Sequence, residues 1–154
     1  MTNRMIAMML AVTLGACGSD DGDEPMAAAA LSGLGTATMT GTATFVQSGT
    51  DVTLELTLNG CASGKSYPVH IHQGASCADA TAQGGHWDTA RGEGIPNIAC
   101  TAGTGSAEHT RAATPPEIAW SIGGDAATDV VGHVIVVHDA DTPTTRIACG
   151  VIAP

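Results

Sequence analysis

Two histidines stand two residues apart in the segment 69–72 and could supply half of a metal site. Apolar Val69 and Ile71 alternate with them, which predicts a β-strand, because successive side chains on a strand point to opposite faces. His70 and His72 would therefore share one face while the apolar pair faces a core. Imidazole nitrogens on one rigid face are typical ligands of copper or zinc.

Two more histidines follow in segments that favour the same site. His86 lies in a glycine-rich stretch, and His138 ends an apolar run. The chain then closes on the sequence RIACGVI at 146–152. These motifs, in this order and with the spacing HIHxGxSC at 70–77, resemble copper/zinc superoxide dismutase of the bacterial periplasmic type over residues 35–154.

The resemblance implies a role for each of these residues. His70, His72 and His138 match terminal copper ligands, and His86 matches the ligand that the family places between copper and zinc. Arg146 matches a cation beside the copper, where a guanidinium would attract superoxide and orient it by hydrogen bonds. Arg146 and His86 are then the catalytic residues, His86 as a proton donor. The alternatives are ordinary surface histidines and a surface charge at a strand end.

The sequence departs from the family pattern where zinc would bind. The family carries further zinc histidines and an aspartate after the bridging histidine, whereas the stretch 87–97 contains no histidine. The segment between His138 and Arg146 is also too short for the usual electrostatic loop. Both absences resemble the copper-only dismutases, so we expect copper and not zinc.

Without zinc, the second nitrogen of His86 needs another partner, because metal-bound imidazoles are held by an acceptor on their other nitrogen. Glu93 occupies the place of the zinc aspartate and is our first candidate, with Asp88 and Asp139 behind it. The alternative is that Glu93 is an exposed loop carboxylate.

The two remaining histidines are not expected to bind copper. His133 and His138 are five residues apart on one predicted strand and would face opposite sides. His109 has no counterpart in the family and is predicted to be a surface residue. Trp87, next to His86, is interpreted as a packing residue.

The cysteines predict an exported protein with disulfides. Of five cysteines, four follow Cys17, and an even number in an exported domain favours pairing, with three possible connectivities. The resemblance implies Cys77–Cys149. This leaves Cys61 and Cys100 as a second disulfide, which we expect, or as free buried thiols.

The first residues read as a secretion signal over 1–16, with Arg4 before a short apolar segment. The sequence LGAC then resembles a bacterial lipobox with Cys17 as the lipidated residue; an ordinary signal peptide is the alternative. Residues 17–34, acidic and then alanine-rich, predict a disordered tether. We therefore expect a membrane-anchored lipoprotein that faces the periplasm or the cell exterior.

Composition and patterning predict an all-β domain over 35–154. The net charge of −10 disfavours nucleic acid and anionic lipid surfaces as partners. Short alternating segments separated by turn residues predict an antiparallel Greek-key sandwich or barrel of about eight strands, with one long disulfide-pinned loop over 73–104. The predicted strands are 36–47, 51–59, 67–72, 105–110, 117–122, 130–138 and 146–152.

The function predicted from the sequence is copper-dependent dismutation of superoxide to O2 and H2O2. The alternative is a non-catalytic copper-binding or copper-delivery domain on the same fold, since fold alone does not determine function. The match at Arg146 favours the enzyme, and the missing zinc site and steering loop favour the binding protein.

Overall fold

The computed structural model describes residues 24–87, 90–113 and 118–154, and this part of the chain is almost entirely β-structure. It contains nine strands and one helix of four residues. The bounds are β1 Met26–Gly33, β2 Thr40–Ser48, β3 Asp51–Asn59, β4 Ser66–Tyr67, β5 Val69–His72, α1 Ala80–Gln83, β6 Ile98–Thr101, β7 Thr104–Ala112, β8 Val134–His138 and β9 Arg146–Val151.

The strands form a nearly closed antiparallel barrel. Their order is β4-β6-β7-β3-β2-β1-β9-β8-β5, and the two end strands, β4 and β5, are separated along the chain only by Pro68. The two edges of the sheet are thus adjacent, which limits the unpaired backbone that an open sheet would expose. The predicted all-β Greek-key fold is confirmed, with nine strands instead of about eight.

One strand that the sequence did not predict is β1, which lies where the sequence predicted the end of a disordered tether. β1 pairs with β2 from Met26 to Ser32, and Ala27, Ala29 and Leu31 on its inner face are buried. The tether prediction was therefore wrong for residues 26–33. Alanine on both faces of the strand hides the alternation that reveals other strands. The predicted signal peptide, Cys17 and the start of the acidic segment lie outside the described residues.

Other predicted strands differ as well. The strand predicted over 36–47 begins at Thr40, and the one predicted over 67–72 is divided at Pro68 into β4 and β5. Residues 118–122 form an isolated bridge and no strand, and Trp120 packs edge-on against Phe45 with ring centroids 5.7 Å apart. β8 begins at Val134 instead of 130, because the chain turns at Gly132, whose φ is +86°. His133 consequently precedes the strand, so the alternation argument applied to it was wrong.

Two disulfides fix the long segment between β5 and β7, as predicted. Cys77–Cys149 joins the loop before α1 to β9, and Cys61–Cys100 joins the turn after β3 to β6. The segment predicted as one loop also contains α1 and β6. Within the described ranges, no helix is long and apolar enough to span a membrane.

Candidate metal centre

The four histidines converge because β5, which carries two of them, lies between β8 and the segment that contains His86. β8 pairs with one edge of β5, with His70 opposite Val136 and Val69 opposite Val137. His138 at the end of β8 is anchored by its backbone N–H to the Pro68 carbonyl at 2.8 Å. On the other edge, His86 forms a bridge with His72.

The buried apolar residues of β5 and the histidines occupy opposite faces, as the alternation predicts. Val69 and Ile71 are fully buried in the barrel core. His70, His72, His86 and His138 each bring one ligand atom into a cluster whose members all lie within 4.8 Å of one another. His72 and His138 are buried, whereas the His86 side chain is 35 % exposed and can be reached from solvent.

Hydrogen bonds on the outer side of the cluster fix which nitrogen of each ring points inward. His72 Nδ1 donates to the Gly84 carbonyl at 3.0 Å, and His138 Nδ1 donates to the Pro143 carbonyl at 2.7 Å. A carbonyl oxygen can only accept, so the proton of each neutral ring is on Nδ1 and the lone pair is on Nε2.

Glu93 holds the other two rings with one carboxylate. Its Oε1 accepts a hydrogen bond from His86 Nδ1, and its Oε2 lies 3.2 Å from His70 Nε2. Burial alone would raise the pKa of Glu93, but the His86 hydrogen bond and the neighbouring imidazoles bring it below its ordinary value. The carboxylate is therefore ionised at neutral pH. Both rings then present their remaining nitrogens, His70 Nδ1 and His86 Nε2, to the cluster.

The inward nitrogens fit a metal cation. His72 Nε2 and His138 Nε2 face each other at 3.2 Å, and burial lowers the pKa of each ring to about 4, so two lone pairs oppose one another at neutral pH. His70 Nδ1 is buried and has no hydrogen-bond partner among the residues that the structure describes. A cation that accepts imidazole donors, such as copper or zinc, would satisfy all of these atoms.

Arg146 lies against the same cluster. Its Nη2 donates to the Gly84 carbonyl at 2.7 Å, the oxygen that also accepts from His72, and its Nη1 donates to the Ala80 carbonyl at 2.9 Å and to Gln83 Oε1 at 3.0 Å. The buried Gln83 amide extends the contact to the Cys77 carbonyl. The disulfide loop and α1 thus hold the guanidinium near the histidines.

The other candidate residues named in the sequence analysis lie outside the histidine cluster. Asp139 accepts hydrogen bonds from the backbone of Asp141 and Thr142 and so shapes the short turn before β9. His133 stacks on buried Trp87, with ring centroids 4.1 Å apart. Asp88 is outside the described residues.

His109 is half-buried, and not the surface residue that the sequence predicted. It accepts a hydrogen bond from Arg111 Nε at 3.0 Å and packs edge-on against Trp120. It takes no part in the histidine cluster.

The sequence did not reveal the groups that orient the histidine rings. Gly84 and Pro143 contribute backbone carbonyls, which no side-chain motif can reveal. Gln83 lies in a segment without periodicity, so its burial could not be read from the sequence.

The sequence profile of the copper/zinc superoxide dismutase (SODC) family matches residues 39–152. The chain belongs to this family. The matched range contains all four clustered histidines, Glu93 and Arg146, and it starts just before β2. No curated protein sequence matches the chain.

The family match and the histidine cluster both indicate a metal site. Within the described ranges, these four histidines are the only group of three or more His, Cys, Asp or Glu side chains placed to hold a metal. A copper-type site is consistent with an all-imidazole donor set, whereas the hard cations magnesium and calcium prefer oxygen ligands.

Proposed function

We propose that the protein is a copper-dependent superoxide dismutase that converts superoxide to O2 and H2O2. The observation that carries the proposal is the convergence of four imidazoles whose outer nitrogens are all held by hydrogen bonds or a carboxylate and whose inner nitrogens face one another, placed to bind a cation. Arg146 beside the cluster adds the positive charge that an anionic substrate requires.

The copper ligands in this proposal are His70 through Nδ1 and His72, His86 and His138 through Nε2. The chemistry that copper supplies when bound is alternating one-electron transfer, in which one superoxide is oxidised to O2 and a second, with two protons, is reduced to H2O2. The chain fixes the tautomer of each ring, and the exposed edge of His86 leaves a path for the substrate.

Arg146 binds and orients superoxide. Three of the five guanidinium N–H groups donate to Ala80, Gln83 and Gly84; with respect to the described part of the chain, this leaves two to meet an anion. Because the protein carries a net charge of −10, a local cation is needed to counter the repulsion of superoxide by the acidic surface.

His86 and Glu93 supply a proton. The proton on His86 Nδ1 lies between the ring and the Glu93 carboxylate, beside a ring that reaches solvent. Because Glu93 keeps the Nδ1 proton in place, the proton for the product would come from Nε2, the nitrogen that faces the site, when that nitrogen is not bound to copper. Water at the exposed edge of the ring can then replace it.

We further propose that copper acts without zinc. A second metal beside the copper would need His86 Nδ1, which Glu93 engages, and residues 87–104 contain no histidine to complete a zinc site. Zinc sites in proteins usually have four ligands, and one shared imidazole with one carboxylate does not supply them.

The proposed location is a membrane that faces an oxidising compartment, with Cys17 as the lipid anchor. The support is the lipobox-like LGAC sequence and the two disulfides, which persist in exported proteins. Membrane fractionation of wild type and Cys17→Ala tests this proposal. Unchanged membrane retention of the variant would contradict the anchor.

The enzyme proposal is tested by superoxide consumption of the copper-loaded soluble domain. We expect a rate far above that of an unrelated copper-binding peptide at equal concentration, and His72→Ala should lose copper and activity together. A rate equal to that of the peptide would favour the alternative, a copper-binding or copper-delivery domain. The short segment between His138 and Arg146 is the observation that favours this alternative.

A further inference from the structure

Arg111 on β7 donates hydrogen bonds to three backbone carbonyls of the segment that carries Glu93. Its Nη1 donates to the carbonyls of Ala90 and Arg91 at 2.9 and 3.0 Å, and its Nη2 donates to the Glu93 carbonyl. With the bond from Nε to His109, four of its five N–H groups are used inside the protein.

The Arg111 guanidinium is itself held in place by the ring of Trp120. It lies 4.8 Å from the ring centre of fully buried Trp120, and Trp120 Nε1 donates to the Arg91 carbonyl at 2.9 Å. A cation over an indole face is a favourable contact, and it strengthens when water is excluded. Arg111 and Trp120 therefore both hold the same backbone turn by hydrogen bonds to its carbonyls.

The glycines around Glu93 allow this close approach. Gly92 donates its N–H to the Trp87 carbonyl, and its own carbonyl accepts from the Ile71 N–H. It lies so near β5 that a Cβ would collide with the Ile71 carbonyl. Gly94 has φ +78°, and a Cβ there would come within 2.8 Å of Arg111 Nη2. The backbone of Glu93 is thus held between β5 on one side and the guanidinium on the other.

We propose that Arg111 is a positioning residue for the metal centre, which holds the 90–93 turn so that the Glu93 carboxylate reaches both His70 and His86. In this arrangement the Arg111 guanidinium holds in place the segment that, in the family, supplies ligands to the zinc ion. The carbonyls of Ala90, Arg91 and Glu93 accept charge-assisted hydrogen bonds, which are stronger than neutral ones. The inference rests on the proposed copper site.

The first test is copper(II) affinity of the full soluble domain, measured by competition with a chelator. We expect Arg111→Ala to weaken affinity by about 10- to 100-fold, the range for loss of a group that orients a metal-bound histidine, and to shift the copper visible spectrum. Arg111→Lys should recover part of the affinity, because it keeps the charge but not the fork of donors. Lys65→Ala also removes one positive charge, from an exposed ion pair with Asp141. It should leave the copper affinity and the visible spectrum unchanged.

A double-mutant cycle separates positioning from general stability. If Arg111 acts through the Glu93 carboxylate, Glu93→Ala should weaken copper affinity similarly, and adding Arg111→Ala should have no further effect. Equal and additive losses in the two backgrounds would overturn the proposal. Arg111→Lys enters the same cycle and serves in place of the alanine variant if that variant fails to fold.

A second test needs no copper. Imidazole ¹⁵N spectra of the metal-free protein should give His86 with its proton fixed on Nδ1 in wild type and exchanging between both nitrogens in Arg111→Ala. An unchanged His86 tautomer in the variant would overturn the positioning role. If the wild-type protein binds no copper at all, the proposed function fails while this readout still decides whether Arg111 positions Glu93.

Discussion

His72 and Arg146 donate hydrogen bonds to the same backbone oxygen, that of Gly84, at 3.0 and 2.7 Å. One carbonyl therefore sets the orientation of a ring in the histidine cluster and the position of the cation beside it. Because Gly84 lies at the end of α1, the short helix couples the position of the Arg146 guanidinium, our proposed substrate-binding charge, to the orientation of the proposed ligand His72.

We predict that Arg146→Ala retains copper but lowers the turnover of superoxide by about tenfold, the lower end of the effect of local charge on association rates. The substitution removes no ligand, and His72 keeps its bond to Gly84. Stopped-flow measurement over a range of ionic strength should give a flatter salt dependence than wild type, since steering by a local charge is screened by salt. Lys65→Ala is the matched control for net charge. Loss of copper from Arg146→Ala would contradict the assigned role.

The two disulfides should have separable effects. Removal of either by paired Cys→Ser substitution should lower the free energy of unfolding by about 2–4 kcal/mol. Only removal of Cys77–Cys149 should also weaken copper binding and slow turnover, because Cys77 lies in the loop that leads to Gln83, Gly84 and Arg146. Denaturant unfolding and chelator competition on both variants check this. Equal copper affinity in the two variants would contradict the coupling.

The metal-free protein should lose stability as the pH falls from about 6.5 towards 4. Burial lowers the pKa of His109 and His133, and it lowers the pKa of His72 and His138 to about 4. The unfolded chain binds protons on these rings below its ordinary histidine pKa of 6.5, whereas the folded chain does not, so acid favours unfolding.

Thermal unfolding of the metal-free protein across this pH range measures the effect. His109→Gln should reduce the slope, because one ring with a lowered pKa is removed from the side of Arg111. A transition temperature that is constant between pH 6.5 and pH 4 would contradict the prediction.

The sequence allowed prediction of the parts of the site that depend on residue type and local period. Alternation around His70 and His72 predicted a strand with both rings on one face, and the structure has β5 there. Both cysteine pairs were also predicted correctly. These signals are local, or they follow from the family motif.

The remainder depends on contacts between segments that are distant in sequence. Arg111 and Glu93 are 18 residues apart and meet only because β7 passes beside the turn, and no motif connects them. β1 escaped prediction because its alternating positions are mostly alanine, which fits either a spacer or a strand. Pairing with β2 decides between these conformations.

The final prediction concerns metal content. Metal-free protein incubated with equal amounts of copper and zinc should bind one copper per chain and no stoichiometric zinc. Imidazole sites favour copper(II) over zinc in the usual affinity order, and the Glu93 carboxylate already occupies the outer nitrogen of His86. Zinc offered alone should bind the histidine cluster and be displaced by copper.

Glu93→Ala is the matched variant for this measurement. It frees His86 Nδ1 but adds no ligand, so it should weaken copper binding without creating a zinc site, because a structural zinc site requires about four protein ligands. Elemental analysis of both proteins after removal of loosely bound metal gives the stoichiometry. One tight zinc retained beside copper in the wild-type chain would show that the residues after His86 still complete a second site, and copper-only activity would have to be abandoned.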